Sequence, residues 1–108
     1  MAATNPRIKL PDIIKQGDVI EVKTLVRHEM ETGNRRDKNG KPIPRDIINS
    51  FVAKFDGREV FRAEFGPGIS ANPYLAFQMR VPGPGIIEVT WTDDDGVQTV
   101  ATAPLNIA

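Results

Sequence analysis

The feature that most constrains this chain is an apolar–polar alternation of period two. Glycine or proline interrupts it every ten residues or so. Residues 19–28 show it best. Ile20, Val22, Thr24, Val26 and His28 fall on one face, and Glu21, Lys23 and Arg27 on the other. That is the period of a half-buried β-strand. Residues 47–55 place Ile47, Phe51, Ala53 and Phe55 in phase, and residues 58–65 do the same with Phe61, Ala63 and Phe65. Asp56-Gly57 joins these two runs. A two-residue hairpin needs positive φ at both central positions, and Asp-Gly tolerates it. Leu75, Phe77 and Met79 mark the inward side of a strand over 74–80, and Ile87, Val89 and Trp91 that of the next. Residues 7–10 and 97–107 open and close the series. A helical alternative would need about ten residues free of glycine, proline and β-branched runs, and none occurs. About seven strands with regular turn signals predict an all-β, immunoglobulin-like antiparallel β-sandwich.

Composition narrows the chemistry. The chain has 108 residues, the length of one domain, so residues 1–108 are expected to share a single core. Hydrophobic residues make up 40% and charged residues 26%, an ordinary globular balance. Fourteen basic side chains match fourteen acidic ones, which is not the basic excess of a nucleic-acid binder. There is no Cys and one His, His28. Disulfides, thiolate metal sites, iron–sulfur clusters and cysteine nucleophiles are therefore excluded within this chain. No resident metal or cofactor is expected. No apolar run approaches the roughly 20 residues that span a bilayer, so no membrane contact is expected. Residues 1–17 lack a continuous apolar segment, so no secretory signal of its own is expected.

One segment breaks the strand rhythm. Residues 29–46 are polar, carry Gly33, Gly40, Pro42 and Pro44, and are too long for a simple turn. Within it, between positions 35 and 45, Arg35, Arg36, Lys38, Lys41 and Arg45 are set against a single acid, Asp37. Beyond Arg80 there is no Lys or Arg, but Glu88, Asp93, Asp94 and Asp95 are present. Zero net charge thus hides a basic loop and an acidic C-terminal hairpin. The loop reads either as solvated chain or as a docking surface that steers an anionic partner. The acidic tip does not follow calcium-loop spacing. Gly96 at position 6 would put Trp91 at position 1 and Thr102 at position 12. Asp93-Asp94-Asp95-Gly96 is read as a solvated hairpin tip. His28 is read as a solvent-edge or hydrogen-bonded structural residue. A triad of His28, Ser70 and an Asp lacks the spacing of a nucleophile elbow.

Longer motifs carry a resemblance. His28-Glu29-Met30-Glu31-Thr32-Gly33 is followed by Arg36-Asp37, Gly40, Ile43-Pro44 and Ile47-Ile48-Asn49. Ser70-Ala71-Asn72-Pro73-Tyr74-Leu75-Ala76-Phe77 and Thr90-Trp91-Thr92-Asp93-Asp94-Asp95-Gly96 come later, and Pro6-Arg7-Ile8-Lys9 opens the chain. Together these resemble the signatures of the SoxZ family, the non-cysteine subunits of bacterial SoxYZ sulfur-carrier complexes. The resemblance implies an immunoglobulin-like sandwich with no catalytic residue and no cofactor. It implies a SoxY-like partner that bears the reacting Cys on a flexible Gly-rich arm. It also implies thiosulfate or sulfur oxidation in the periplasm, with export on the partner's signal and transient contacts with other sulfur-oxidation enzymes.

The absence of Cys agrees with that role, since covalent sulfur must then ride on another chain. Partner anchors are expected at Arg36 and Arg45 in the long loop, and at Tyr74 and Arg80 on the outward phase of the 74–80 strand. Phe77 and Trp91 are assigned to core support. In isolation, the exposed partner face would favour a homodimer. Two rival readings are a free-standing adhesion-type binding module and a small hydrolase using His28.

Overall fold

The computed structural model describes residues 3–66 and 73–108. Seven strands form two antiparallel sheets: β1 (Thr4–Lys9), β2 (Val19–Arg27), β3 (Ile48–Phe55), β4 (Arg58–Glu64), β5 (Tyr74–Arg80), β6 (Gly85–Asp93) and β7 (Gln98–Leu105). One sheet has the order β1-β2-β5 and the other β4-β3-β6-β7. Compared with the ABED/CFG pattern of immunoglobulin constant domains, the fourth strand has moved to the second sheet. The expected seven-stranded, all-β sandwich is what the chain forms. The Ser70-Ala71-Asn72 part of the motif entering β5 lies outside the described residues.

The alternation sorts the side chains as the sequence implies. Along β2, Ile20, Val22, Thr24 and Val26 are buried and every intervening residue is exposed. Thr24 is tolerated inside because its hydroxyl donates to the Leu75 carbonyl at 2.7 Å. Phe77 of the three-stranded sheet meets the second sheet across the core. Its ring stacks on Phe61 at 5.0 Å and lies edge-on to Phe51 at 6.2 Å. Phe51 also packs edge-on against the fully buried Trp91 at 5.7 Å. These rings hold the two layers in register.

Asp56 and Gly57 have φ of 48° and 84°, the left-handed pair demanded by the β3–β4 hairpin. The Asp56 carboxylate accepts the Ile86 backbone N–H at 2.8 Å, which ties that turn to the start of β6. Gly85 is required at this junction. A Cβ there would lie 2.5 Å from Phe55 Cζ and 2.6 Å from Asp56 Oδ2.

Two differences from the sequence pattern have physical causes. Ile47 and Ile48 are both buried although they are adjacent. The register between β3 and β6 shifts between Ile48 and Ser50, so strict alternation lapses there. The first strand runs Thr4–Lys9 rather than 7–10, with an irregularity between Thr4 and Arg7. The sheets end in β1 and β5, and in β4 and β7. Pro6 and Pro104 occupy two of these outer strands, where a missing N–H is tolerated. No helix among the described residues is long and apolar enough to cross a membrane.

Candidate functional site

The long loop is an ordered, irregular arm. Glu31 and Asp46 exchange both backbone hydrogen bonds at 2.8 Å. Farther out, Ile43 N–H donates to the Arg35 carbonyl and Asp37 N–H to the Lys41 carbonyl. The segment thus leaves and rejoins the sandwich as a pinched hairpin. Asp37 shapes its tip by accepting the Asn39 and Lys41 N–H groups. Arg35 and Glu31 form an ion pair on the arm. The Arg35 side-chain hydrogen bond, aided by its charge, holds the Glu31 carboxyl below its ordinary range despite an opposing desolvation effect.

At its base the arm is fastened to the β6–β7 hairpin. The Arg45 guanidinium donates to both Asp94 oxygens, at 2.7 and 2.9 Å. Asn49 Nδ2 and the Ile47 N–H also donate to Asp94, at 2.9 and 3.3 Å. Desolvation pushes the Asp94 carboxyl up. The donors Arg45, Asn49 and Ile47, with the Arg45 charge, outweigh it and leave the group below the usual Asp range. Asp93 is buried. Its Oδ1 accepts the Asp95 and Val97 N–H groups, closing the turn, while Oδ2 faces His28 Nε2 at 3.4 Å. The acidic tip is therefore not the solvated turn expected. Two of its three carboxylates are fasteners: Asp94 receives Arg45 from the folded-back loop, and Asp93 closes its own turn and faces His28.

His28 is 1% exposed, so it is not at the solvent edge. Its hydrogen-bonded role holds. Nε2 lies between Asp93 and an Asp46 oxygen 4.0 Å away. The three donor atoms lie within 4.8 Å of one another, a set that a small divalent cation could use. The same set is also a compact polar cluster in which one imidazole separates two carboxylates.

The four expected anchors separate into two regions. Arg36 lies on the arm and donates to the Gly40 carbonyl at 2.9 Å. Arg45 is at the arm's base, engaged with Asp94. Tyr74 and Arg80 stand at opposite ends of β5 on its outer face. Tyr74 is 61% exposed, and Arg80 donates to the Gly17 carbonyl at 2.9 Å.

The register shows what single-strand reading missed. Around Tyr74 and Arg80 the outer face of β1-β2-β5 also carries Arg7, Lys9, Lys23, Leu25 and Arg27. The outward phases of β2 and β5 were legible. The pairing that brings the cations together was not.

The model of the family Sulphur oxidation protein SoxZ matches residues 8–104. The chain belongs to the SoxZ family. This SoxZ-family chain is thereby a sulfur-oxidation protein. Among curated proteins, none matches its sequence. Among solved structures, a superoxide reductase (neelaredoxin) from Ignicoccus hospitalis superposes with a TM-score of 0.75 at 17% identity, covering 98% of this chain and 82% of that one. A proposed superoxide reductase from Thermotoga maritima reaches 0.68 at 16% identity, covering 95% and 85%. At such identities the likeness is one of fold alone.

Proposed function

We propose that this SoxZ-family chain is the non-catalytic subunit of a periplasmic sulfur-carrier heterodimer. Its SoxY-like partner bears the Cys on which intermediates of thiosulfate or sulfur oxidation travel. The observation that carries this reading is a sulfur-oxidation family match across residues 8–104 of a chain that contains no cysteine. With no thiol, the chain has no atom on which a sulfane or thiosulfonate adduct would ordinarily form. The sealed position of His28 supports a non-catalytic role, because a substrate cannot reach a group that is 1% exposed. The sandwich then supports the partner and positions its cysteine arm. The periplasmic setting, with export on the partner's signal, belongs to the same proposal and rests on the family resemblance.

Co-expression with a SoxY-like chain tests it. The two chains are expected to elute together on sizing at micromolar concentration. After thiosulfate-dependent turnover, mass spectrometry is expected to find sulfur adducts on the partner Cys alone. Separation of the chains, an adduct on this chain, or turnover by this chain unaccompanied would each overturn the proposal.

A further inference from the structure

The outer faces of the two sheets differ in charge. On β1-β2-β5, Arg7, Lys9, Lys23, Arg27 and Arg80 point outward against one carboxylate, Glu21. On β4-β3-β6-β7, Lys54 and Arg62 are set against Glu59, Glu64 and Glu88. The basic face is also in internal conflict. Lys9 and Lys23 are direct cross-strand partners. Like charges placed opposite each other destabilise a sheet. Glu21 relieves Lys23 only along its own strand, at 3.8 Å. Beside these cations, Leu25 pairs with Tyr74 across β2 and β5. A shallow depression of about 170 Å³ opens there, lined by Arg7, Lys9, Lys23, Thr24, Leu25 and Tyr74. A small apolar floor ringed by cations suits a carboxylate-rich protein surface carrying one apolar anchor.

We infer that this face receives an acidic protein that visits the carrier transiently, namely an enzyme that loads or unloads it. The inference rests on the carrier reading above. A permanent subunit is the poorer occupant. Obligate interfaces are more apolar, and their cores are depleted in lysine. Charge-steered encounters are fast, weak and salt-sensitive, which suits a carrier that must be released after each step. The face of β4-β3-β6-β7 suits a lasting contact better. Val52, Thr90 and Val100 make an uncharged row on it, and Ile86 pairs with Pro104 nearby. An anionic membrane is the poorer match to the basic face because the Leu25–Tyr74 depression is a side-chain-sized feature within a flat sheet.

The test uses the co-purified heterodimer in a reconstituted thiosulfate-oxidising system. Arg7→Glu combined with Lys23→Glu is expected to leave the heterodimer intact. It should lower turnover at limiting carrier by about tenfold or more at low salt and flatten the salt dependence. Lys9→Glu alone should raise the melting temperature while weakening turnover at limiting carrier, an opposition that a purely structural lysine would not produce. Failure of unaltered chains to form a heterodimer would sink the carrier reading itself. Loss of the heterodimer on Arg7/Lys23 reversal, with unaltered chains pairing normally, would give the face to the permanent partner and overturn only this inference. Unchanged turnover and salt dependence would overturn it too. So would face-dependent binding of the heterodimer to phosphatidylglycerol vesicles with normal turnover.

Discussion

Replacing Asp94 tests the account of how the arm is held. Asp94→Ala removes one carboxylate that accepts from Arg45, Asn49 and the Ile47 N–H. The Arg45 guanidinium is 46% exposed, so its ion pair is screened and contributes at most about 1 kcal/mol. The part-buried bonds from Asn49 and Ile47 add roughly 1 kcal/mol each, because their donors are left without this acceptor. The expected loss is about 2–3 kcal/mol. At a melting entropy of about 2.1 cal/mol/K per residue, this domain should melt roughly 10 °C lower. Asp94→Asn retains shape and one acceptor oxygen, and should lose about half as much. The sign of the pH dependence follows from the direction of the shift. The Asp94 carboxyl is held below its ordinary value in the folded chain, so the unfolded chain takes up the proton first as pH falls. The contribution is complete above the ordinary Asp range near about 4 and disappears as pH drops through the depressed value. Thermal melts of both variants across that window measure it. Limited trypsin digestion, read at Arg35, Arg36 and Lys38, reports on the arm directly. A melting point for Asp94→Ala within about 2 °C of the parent, with unchanged digestion, would refute the fastening argument.

Gly85→Ala drives a methyl group into Phe55 and the Asp56 carboxylate and should cost about 1–3 kcal/mol, read by urea titration. Trp91→Ala removes the buried ring that packs edge-on against Phe51 and should cost about 3–5 kcal/mol. That is a large fraction of a small domain's stability, so a much-reduced soluble yield and loss of near-ultraviolet dichroism are expected. His28→Ala leaves Asp93 without its imidazole contact and opens a cavity, at about 2–4 kcal/mol by denaturant titration. Where that variant folds, sulfur turnover in the proposed heterodimer should persist, whereas loss of turnover with an intact fold would restore the hydrolase alternative.

What was legible in the sequence was local. The β2 alternation and the Asp56-Gly57 turn depend on neighbours a few residues apart, and both are found where the pattern places them. What was not legible depended on contacts between distant segments. Asp-Asp-Asp-Gly reads the same whether its carboxylates face water or a folded-back arm. The difference lies in Arg45, 49 positions from Asp94. Ile48 was missed because an irregular register buries two successive residues. The basic face was missed for the same reason. Arg7, Lys23 and Tyr74 are unremarkable in three separate strands and form a surface only once β1, β2 and β5 lie side by side.

Pro104 sits in the outermost strand of the four-stranded sheet, and Pro6 in an outermost strand of its neighbour. Neither has a hydrogen to offer an incoming chain, so each interrupts the row that a newcomer would need to read. β1 and β7 also approach one another at this corner of the sandwich. Lateral growth into ribbons is thus blunted there even when many copies are crowded together, which closes one common route to fibres.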